Sequence, residues 1–232
     1  MQGAAVLKHQ VFHSSVALGA HTFQSDYAES FKARWGKRAF DICIAVFLLP
    51  ILLPVICGLA AVVALDGGAP FFGHRRVGRG GREFRCWKIR TMVADAEGCL
   101  AQYLAENAEA AQEWEIMHKL EHDPRITRMG RFLRMSSLDE LPQLLNVLRG
   151  EMSFVGPRPV EPEELRRYGL NAEVYKRLRP GITGLWQVSG RNNVAYDKRV
   201  ALDMKYAQNM TWWGDIHILF KTLLVVTRFT GR

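Results

Sequence analysis

Cysteine is scarce in this chain of 232 residues, and the spacing of the cysteines argues against both a disulfide scaffold and a structural zinc site. The four cysteines, at positions 43, 57, 86 and 99, form neither a CxxC pair nor a Cys/His spacing typical of zinc sites. We expect reduced thiols in a reducing compartment rather than a disulfide scaffold. The chain also lacks internal repeats. With 23% charged and 10% aromatic residues, its composition is that of a folded protein and not of a disordered one.

Familiar catalytic motifs are missing as well. The sequence has no Walker A pattern, no GxGxxG, no GxSxG and no HExxH, and its seven histidines show no metal-ligand spacing. These absences argue against a P-loop nucleotidase, a Rossmann dehydrogenase, a serine hydrolase and a zinc peptidase.

Positive charge is in excess, with 31 Lys and Arg against 23 Asp and Glu and a net charge of +8. Such a balance suits nucleic acid, or an anionic membrane surface together with phosphate-bearing substrates. Charge alone does not distinguish a nucleic-acid partner from a membrane surface. The distribution of apolar residues does distinguish them.

One long apolar run, residues 42–65, contains no charged, amide or hydroxyl side chain. As a straight helix it would reach roughly 36 Å, enough to cross a hydrocarbon core. It starts too late for a secretory signal, and a buried helix of a soluble protein is an alternative reading. Pro50 and Pro54 interrupt the run, and a break at Pro54 would leave two halves that reach only the bilayer middle.

Basic residues flank this run on both sides: Lys32, Arg34, Lys37 and Arg38 before it, and Arg75, Arg76, Arg79, Arg82, Arg85 and Lys88 after it. The positive-inside rule places both flanks in the cytoplasm. We therefore predict a re-entrant helix hairpin in preference to a kinked spanning helix. The predicted organisation is a mobile N-terminal extension (1–30), a re-entrant membrane helix (31–66) and a cytoplasmic catalytic domain (67–232).

Local patterns predict an α/β fold for the remainder, with a small antiparallel sheet packed among helices. Residues 70–92 form two strands around the turn at 79–82, and residues 93–122 form a helix with a break near Gly98. A helix starts at Ser136 or Ser137 and ends at Gly150. Residues 212–232 combine paired tryptophans with basic residues, which fits an interfacial amphipathic helix on a membrane and equally a core helix.

Two adjacent carboxylates, Asp139 and Glu140, fall in the first turn of that predicted helix. The helix dipole there would keep Asp139 ionised and favour phosphate groups, and an ionised Asp can form an acyl-phosphate. Ordinary helix capping explains the same pair. Arginines in glycine- or proline-bracketed segments suit a diphosphate. The candidate phosphate ligands are Arg134, Arg158, Arg179 and Arg191, with Lys88 and Arg90 adding charge on a strand, and Asp139 is the candidate Mg²⁺ ligand.

Four segments resemble the bacterial sugar transferase family of monotopic polyprenyl-phosphate phosphoglycosyl transferases. They are KRAFD before the apolar run, FRCWKIRTM, DPRITRMGRFLRMSSLDELPQLLNVLRGEMSFVGPRP, and RPGITGLWQVSGRN. The resemblance runs from about Lys37 to the C-terminus, and the short length is most similar to the ExoY-type exopolysaccharide production proteins.

The resemblance implies transfer of a sugar-1-phosphate, with galactose or glucose the first candidates, from a UDP-sugar to undecaprenyl phosphate with release of UMP. Such enzymes act at the cytoplasmic face of the inner membrane. Asp139 would be the nucleophile and Glu140 its partner, with Mg²⁺ on the diphosphate. Arg134, Arg158 and Arg191 match the family's phosphate-binding arginines. The family's Ser-Pro helix break is Leu53-Pro54 here, and a homodimer is compatible with the sequence.

Three alternatives stay open at this stage. A glycosyltransferase that releases UDP would require an Asp-x-Asp metal-binding motif, which the sequence lacks. A membrane-associated scaffold would have no need of the acidic pair and the arginines together. A nucleic-acid binder would use the basic segment Arg75–Arg90 with Phe84 and Trp87 as stacking residues, although anionic lipids suit that segment better.

Overall fold

The computed structural model describes residues 31–117, 119–190 and 194–226, so the predicted extension 1–30 and Arg191 lie outside the described residues. The predicted α/β class is confirmed, with helices dominating. The helices are α1 (Phe31–Ala64), α2 (Ala96–Glu106), α3 (Ala108–Met117), α4 (Arg128–Ser136), α5 (Gln143–Arg149), α6 (Pro162–Leu165), α7 (Ala172–Arg177), α8 (Tyr196–Gln208) and α9 (Trp212–Val226). The strands are β1 (Phe71–Val77), β2 (Glu83–Ile89), β3 (Ser153–Val155) and β4 (Gly181–Thr183).

Helix α1 is continuous through Pro50 and Pro54. Its 34 residues correspond to roughly 51 Å measured along the helix axis. Within the described part of the chain it is the one helix long and apolar enough to cross a membrane. The expected break at Pro54 is not seen, and Leu65–Gly68 turns the chain after α1, as the Asp66-Gly67-Gly68 signal predicts. The structure therefore has one long apolar helix in place of the two predicted halves.

The N-terminal part of α1 is bound to the rest of the protein through polar side chains. Arg38 donates to the carbonyl oxygens of Val147 and Leu148 in the last turn of α5. Asp41 is buried and accepts hydrogen bonds from the hydroxyl and backbone groups at the start of β3. Lys37 pairs with Asp215 of α9. These three side chains fix the N-terminal part of α1 on the folded domain.

The C-terminal end of α1 is bound to the same domain. Val63 packs with Ile89 of β2 and Leu133 of α4. Arg90 donates to the carbonyl oxygens of Val63, in the last turn of α1, and of Gly67, just beyond it. Both ends of the apolar helix are thus fixed on one body.

The predicted hairpin is confirmed. Strands β1 and β2 pair antiparallel, from Phe71 opposite Ile89 to Val77 opposite Glu83. The turn between them places Gly80 and Gly81 at φ 73° and 74°, the left-handed region that glycine adopts without strain. Phe84 and Cys86 are buried against α5 and β3, and Lys88 follows them on the same face. The hairpin therefore directs Lys88 towards the segment that carries Asp139.

Two helix predictions need correction. The acidic segment breaks at Asn107 and not near Gly98, because Asp95 caps α2 by accepting from the Gly98 N–H at 2.9 Å, which keeps Gly98 in the first helical turn. The single helix predicted from Ser136 to Gly150 is replaced by a 3₁₀ turn followed by the short helix α5. Helix α4 ends at Ser136, Ser137 takes the left-handed conformation (φ 59°), and a single 3₁₀ turn at Leu138–Glu140 precedes α5. Gly150 ends α5 as predicted, at φ 80°.

A second, parallel pair of strands was not predicted. Strands β3 and β4 pair from Ser153 opposite Gly181 to Val155 opposite Thr183. Each has three residues, which is too short to show the alternation that predicts a strand. The pair joins the loop after β3, which carries Arg158, to the segment that leads to Trp186.

Helix α4 packs closely against the segment that follows β2. A Cβ at Gly130 would lie 1.9 Å from the carbonyl oxygen of Thr91. We expect Gly130→Ala to lower the free energy of unfolding by about 1–3 kcal/mol, since backbone must move to admit the methyl group. Thermal unfolding in detergent measures the effect. Gly58→Ala is the matched control, because a Cβ there has nothing within 4 Å; equal losses in both variants would contradict the packing.

Candidate active site

The site is built from two carboxylates and one ammonium. The 3₁₀ turn between α4 and α5 places Asp139 and Glu140 side by side, and β2 brings Lys88 to them. Lys88 Nζ donates to Glu140 Oε1 at 2.7 Å and lies 3.6 Å from Asp139 Oδ2. Asp139 is buried, with 8% of its surface exposed, whereas Lys88 and Glu140 are partly exposed. A ligand therefore has access to the ammonium beside a shielded carboxylate.

Burial dominates the electrostatics of Asp139. It raises the pKa of this carboxyl to about 6 even though Lys88 and Arg134 act to lower it, and the neighbouring Glu140 raises it further. Burial lowers the pKa of Lys88, but Glu140 and Asp139 outweigh it and the pKa is raised overall. Asp139 lies in a short 3₁₀ turn and not in the first turn of the predicted α-helix, so burial and not a helix dipole dominates its pKa. Near pH 7 it is a carboxylate with an elevated pKa beside a charged lysine.

Arg134 lies on the other side of this pair, in the last turn of α4. Its Nε donates to Thr91 Oγ1 at 2.9 Å, and its charge acts on Asp139 and on Asp123. Thr91 is itself buried, so it holds the guanidinium in a defined place. The structure thus brings together four of the predicted site residues: Asp139, Glu140, Lys88 and Arg134.

One residue that positions this group was missed from the sequence. Asn146 of α5 is fully buried and binds the free edge of β2, accepting from the Trp87 N–H at 3.1 Å and donating to the Arg85 carbonyl at 2.7 Å. It also donates to Glu151. These bonds fix the strand that carries Lys88 relative to the helix that follows Asp139. The signal was an amide among the leucines of LLNVL, a polar side chain on an otherwise apolar helix face.

The other predicted ligands lie elsewhere. Arg158 stacks on Trp186, with its guanidinium carbon 5.3 Å from the ring centre, and its backbone N–H donates to Asp203 at 3.3 Å. Arg90 is engaged with the end of α1 through the carbonyls described above. Arg179 donates to the Gly150 carbonyl at 2.8 Å. Arg191 is outside the described residues, so its predicted role stays a prediction.

Comparison with known proteins identifies the chain. The sequence profile described as bacterial sugar transferase matches residues 32–229, which includes every element from α1 to α9. The chain belongs to the bacterial sugar transferase family. The predicted resemblance is confirmed.

Some relatives of this sugar transferase are more than twice its length, and others are of similar length. It is 51% identical over 199 residues to the UDP-galactose-lipid carrier transferase of Erwinia amylovora and to the undecaprenyl-phosphate galactose phosphotransferase of Salmonella typhimurium. Each match covers 86% of this chain and 42% of the relative, so the chain spans about two fifths of the length of these proteins. It is 50% identical over 196 residues to the exopolysaccharide production protein ExoY of Sinorhizobium fredii, covering 84% and 87% of the two chains.

The sugar transferase site suits only a sparsely liganded cation. No group of three or more His, Cys, Asp or Glu side chains with metal-binding geometry occurs among the residues that the structure describes. Asp139 and Glu140 are both carboxylates, but Lys88 already bonds Glu140. Mg²⁺ typically takes one or two protein carboxylates and fills its shell with water and substrate phosphates. The carboxylate of Asp139 has the chemistry that this arrangement requires, and Mg²⁺ binding at Asp139 stays a prediction.

Proposed function

We propose that this chain transfers a sugar-1-phosphate from a UDP-sugar to undecaprenyl phosphate and releases UMP, as the first membrane step of exopolysaccharide assembly. The observation that carries the proposal is the desolvated Asp139 carboxylate beside Lys88 and Arg134. The names of two relatives specify galactose, which makes UDP-galactose the first donor to test and UDP-glucose the second.

In the first step an oxygen of Asp139 attacks the β-phosphorus of the UDP-sugar. A bond forms between Asp139 and phosphorus, the bond from phosphorus to the bridging oxygen breaks, and UMP leaves with that electron pair. Partial desolvation makes the carboxylate more nucleophilic, and a pKa of about 6 leaves it mostly ionised at neutral pH. Lys88 and Arg134 offset the charge that the diphosphate brings into the site.

In the second step a phosphate oxygen of undecaprenyl phosphate attacks the same phosphorus. The bond from Asp139 to phosphorus breaks, which regenerates the carboxylate and yields the lipid diphosphate-linked sugar. Glu140, held by Lys88 at 2.7 Å, is placed to orient the incoming acceptor or to take its proton. Asp139 would hold Mg²⁺ at the diphosphate, and a bound Mg²⁺ would neutralise negative charge on the phosphate oxygens.

We further propose that the chain enters one leaflet only, from the cytoplasmic face of the inner membrane. Support comes from α1, whose two ends are bound to the same domain, through Arg38 and Asp41 at one end and Arg90 at the other. A spanning helix would separate those ends by the bilayer. Helix α9 adds an exposed apolar face suited to the interface: Trp212, Trp213, Ile216, Phe220, Leu223 and Leu224. A homodimer on this surface is compatible with the proposal.

Single cysteines at the two ends of α1 test this topology. In a variant without the native cysteines, Ala39→Cys and Asp66→Cys place thiols at exposed positions on either side of the apolar run. A membrane-impermeant maleimide added to intact spheroplasts is expected to label neither, and after lysis to label both. Labelling of one end alone in intact spheroplasts would mean that the helix spans the membrane.

The nucleotide that is released tests the reaction. The purified protein in detergent is given undecaprenyl phosphate, Mg²⁺ and a panel of UDP-sugars. UMP, formed with one or two of the sugars and dependent on the acceptor for turnover, is the expected product. UDP would mean transfer of the sugar alone, and the aspartyl-phosphate route would then be wrong. No nucleotide from folded protein would favour a scaffold.

A further inference from the structure

An exposed aromatic side chain lies directly across the hairpin from Lys88. In the register of β1 and β2, Phe72 is opposite Lys88. Side chains of opposite residues lie on the same face of a strand pair, with Cβ atoms about 4.5–5.5 Å apart. Phe72 keeps 55% of its surface exposed, although it is a large apolar residue on the face that carries the ammonium group of the site. The hairpin therefore presents an exposed apolar ring beside a cation.

His74 supports one side of the Phe72 ring. The two rings meet edge to face, with their centroids 5.7 Å apart. His74 Nε2 lies 3.0 Å from Glu161 Oε1, and its Nδ1 lies 3.4 Å from a guanidinium nitrogen of Arg76. Burial and the charge of Arg76 lower the pKa of His74, with Glu161 acting in the opposite direction, so the imidazole beside Phe72 is mostly uncharged at neutral pH. The charge of Lys88 also acts on His74, which places this pair of rings near the ammonium group.

The start of β1 is fixed beside the C-terminal end of the apolar helix. The backbone N–H of Arg90 donates to the Pro70 carbonyl at 2.8 Å, directly before β1, and its side chain bonds two carbonyls at the end of α1. Val62, near that end, and Leu65, just beyond it, are exposed apolar residues. Phe72 therefore stands close both to the exposed apolar end of α1 and to the charged groups of the site.

The acceptor of the proposed reaction needs a surface with this mixed chemistry. Its phosphate must reach the phosphorus held by Asp139, while most of its prenyl chain stays in the membrane. The isoprene units next to the phosphate then leave the hydrocarbon, and their exposure to water is unfavourable in proportion to their apolar area. An apolar ring beside an ammonium group covers those units while the ammonium offsets the phosphate charge. The UDP-sugar donor is water-soluble, so nothing requires it to contact the end of the hairpin nearest to α1.

We propose that Phe72, with His74 beside it, binds the isoprene units that adjoin the phosphate of the polyprenyl acceptor. The inference rests on the proposed function and adds to it an acceptor-binding surface on β1. Lys88 serves the phosphates of donor and acceptor in turn, because the two steps follow one another at Asp139. Phe72 belongs to the second step alone: it contacts the acceptor and does not contact the donor.

The two steps of the proposed route test this surface separately. The full chain in detergent is mixed with UDP-galactose or UDP-glucose alone, whichever the parent turns over, and UMP release in a single turnover measures the first step. Undecaprenyl phosphate at varied concentration then gives kcat/KM for the acceptor, which in a two-step route depends only on the second step. Phe72→Ala is expected to leave the first step unchanged and to lower kcat/KM for the acceptor about 10-fold through a higher KM, since it removes one apolar contact. Phe72→Leu keeps an apolar side chain and should retain most of the parental value.

Phe71→Ala is the matched control. Phe71 is the neighbouring exposed phenylalanine of β1, and it lies on the opposite face of the hairpin, across from Ile89. Its variant should keep both rates. A second measurement needs no variant, and so carries the test if Phe72→Ala does not fold. A farnesyl phosphate analogue with a photoreactive group in its first isoprene unit is expected to label the peptide that contains β1, and excess undecaprenyl phosphate should suppress the labelling.

Three results would overturn the acceptor surface. Slower UMP release in the first step of Phe72→Ala would mean that the ring contacts the UDP-sugar. Acceptor kinetics that stay parental in Phe72→Ala, or photolabelling confined to other peptides, would mean that the ring does not contact the prenyl chain. An equal loss in Phe71→Ala would mean a general contact with the detergent or membrane. Failure of the proposed function is a different result: the unmutated protein would release no UMP.

Discussion

Asp139→Asn is expected to slow UMP release from the UDP-sugar at least about 1,000-fold, because an amide does not form the acyl-phosphate bond on which both steps depend. The rate is measured with undecaprenyl phosphate and Mg²⁺ in detergent. A second readout is mass spectrometry of protein incubated with the donor alone. The parent should gain the mass of a hexose phosphate, and the Asn variant should not.

The stability of the same variant separates loss of chemistry from loss of fold. Burial raises the pKa of Asp139 to about 6, so the folded state binds this proton more tightly than the unfolded chain does. Above that pH the ionised carboxylate costs stability, which is regained as the pH falls through 6. Asp139→Asn carries no such charge, so its melting temperature at pH 8 should be no lower than the parent's.

Asp197→Asn is the matched control, since Asp197 is an exposed carboxylate in the first turn of α8. It should release UMP at the parental rate. Parental rates in the Asp139→Asn protein would exclude Asp139 as the nucleophile. The proposed two-step route would then have to be abandoned.

The second large effect is expected at Lys88. Lys88→Met should lower kcat/KM for the UDP-sugar about 100-fold, because in the proposed reaction it removes a cation that offsets the charge of the diphosphate. It should also move the acid limb of the pH profile to higher pH. Lys88 lowers the pKa of Asp139, so without its charge the carboxyl is protonated over a wider range below neutrality. Initial rates between pH 5 and pH 9 measure both effects.

Two further variants complete this test. Lys88→Arg keeps the charge and should leave the acid limb near its parental position, although the different reach of the guanidinium will lower the rate. Lys205→Met removes an exposed lysine of α8 and should change neither quantity. An acid limb that stays at its parental pH in Lys88→Met would mean that Lys88 does not control the ionisation of Asp139.

Signals confined to a few neighbouring residues were enough to predict the hairpin and several helix ends. The Gly80-Gly81 turn, the alternation through Phe84, Cys86 and Lys88, and the left-handed Gly150 all depend on backbone preferences that act within a few residues. The acidic pair with Arg134 and Lys88 was also found from the sequence, and the structure brings these residues together.

Features that depend on distant packing were predicted less well. Ser136 and Ser137 have the chemistry of helix caps, but α4 ends at Ser136, Ser137 takes the left-handed conformation, and a 3₁₀ turn precedes α5. Arg90 and Arg158 carry the charge expected of phosphate ligands. In the structure Arg90 bonds the end of α1 and Arg158 lies beside Trp186, and their binding of phosphate stays a prediction. Charge and spacing along the chain did not distinguish these two placements from that of Arg134, whose charge acts on Asp139.

The sequence by itself determined the family, the apolar run, the hairpin and the adjacent carboxylates Asp139 and Glu140, because each depends on residue types or on contacts between near neighbours. The tertiary structure decided that Asp139 is desolvated, that Asn146 fixes the strand of Lys88, and that Arg158 lies beside Trp186. It also decided that both ends of α1 meet the same domain. The burial of a residue, its pKa and its contacts with a distant side chain all depend on groups that are far apart in the chain. Only folding brings those groups within a few ångströms of one another.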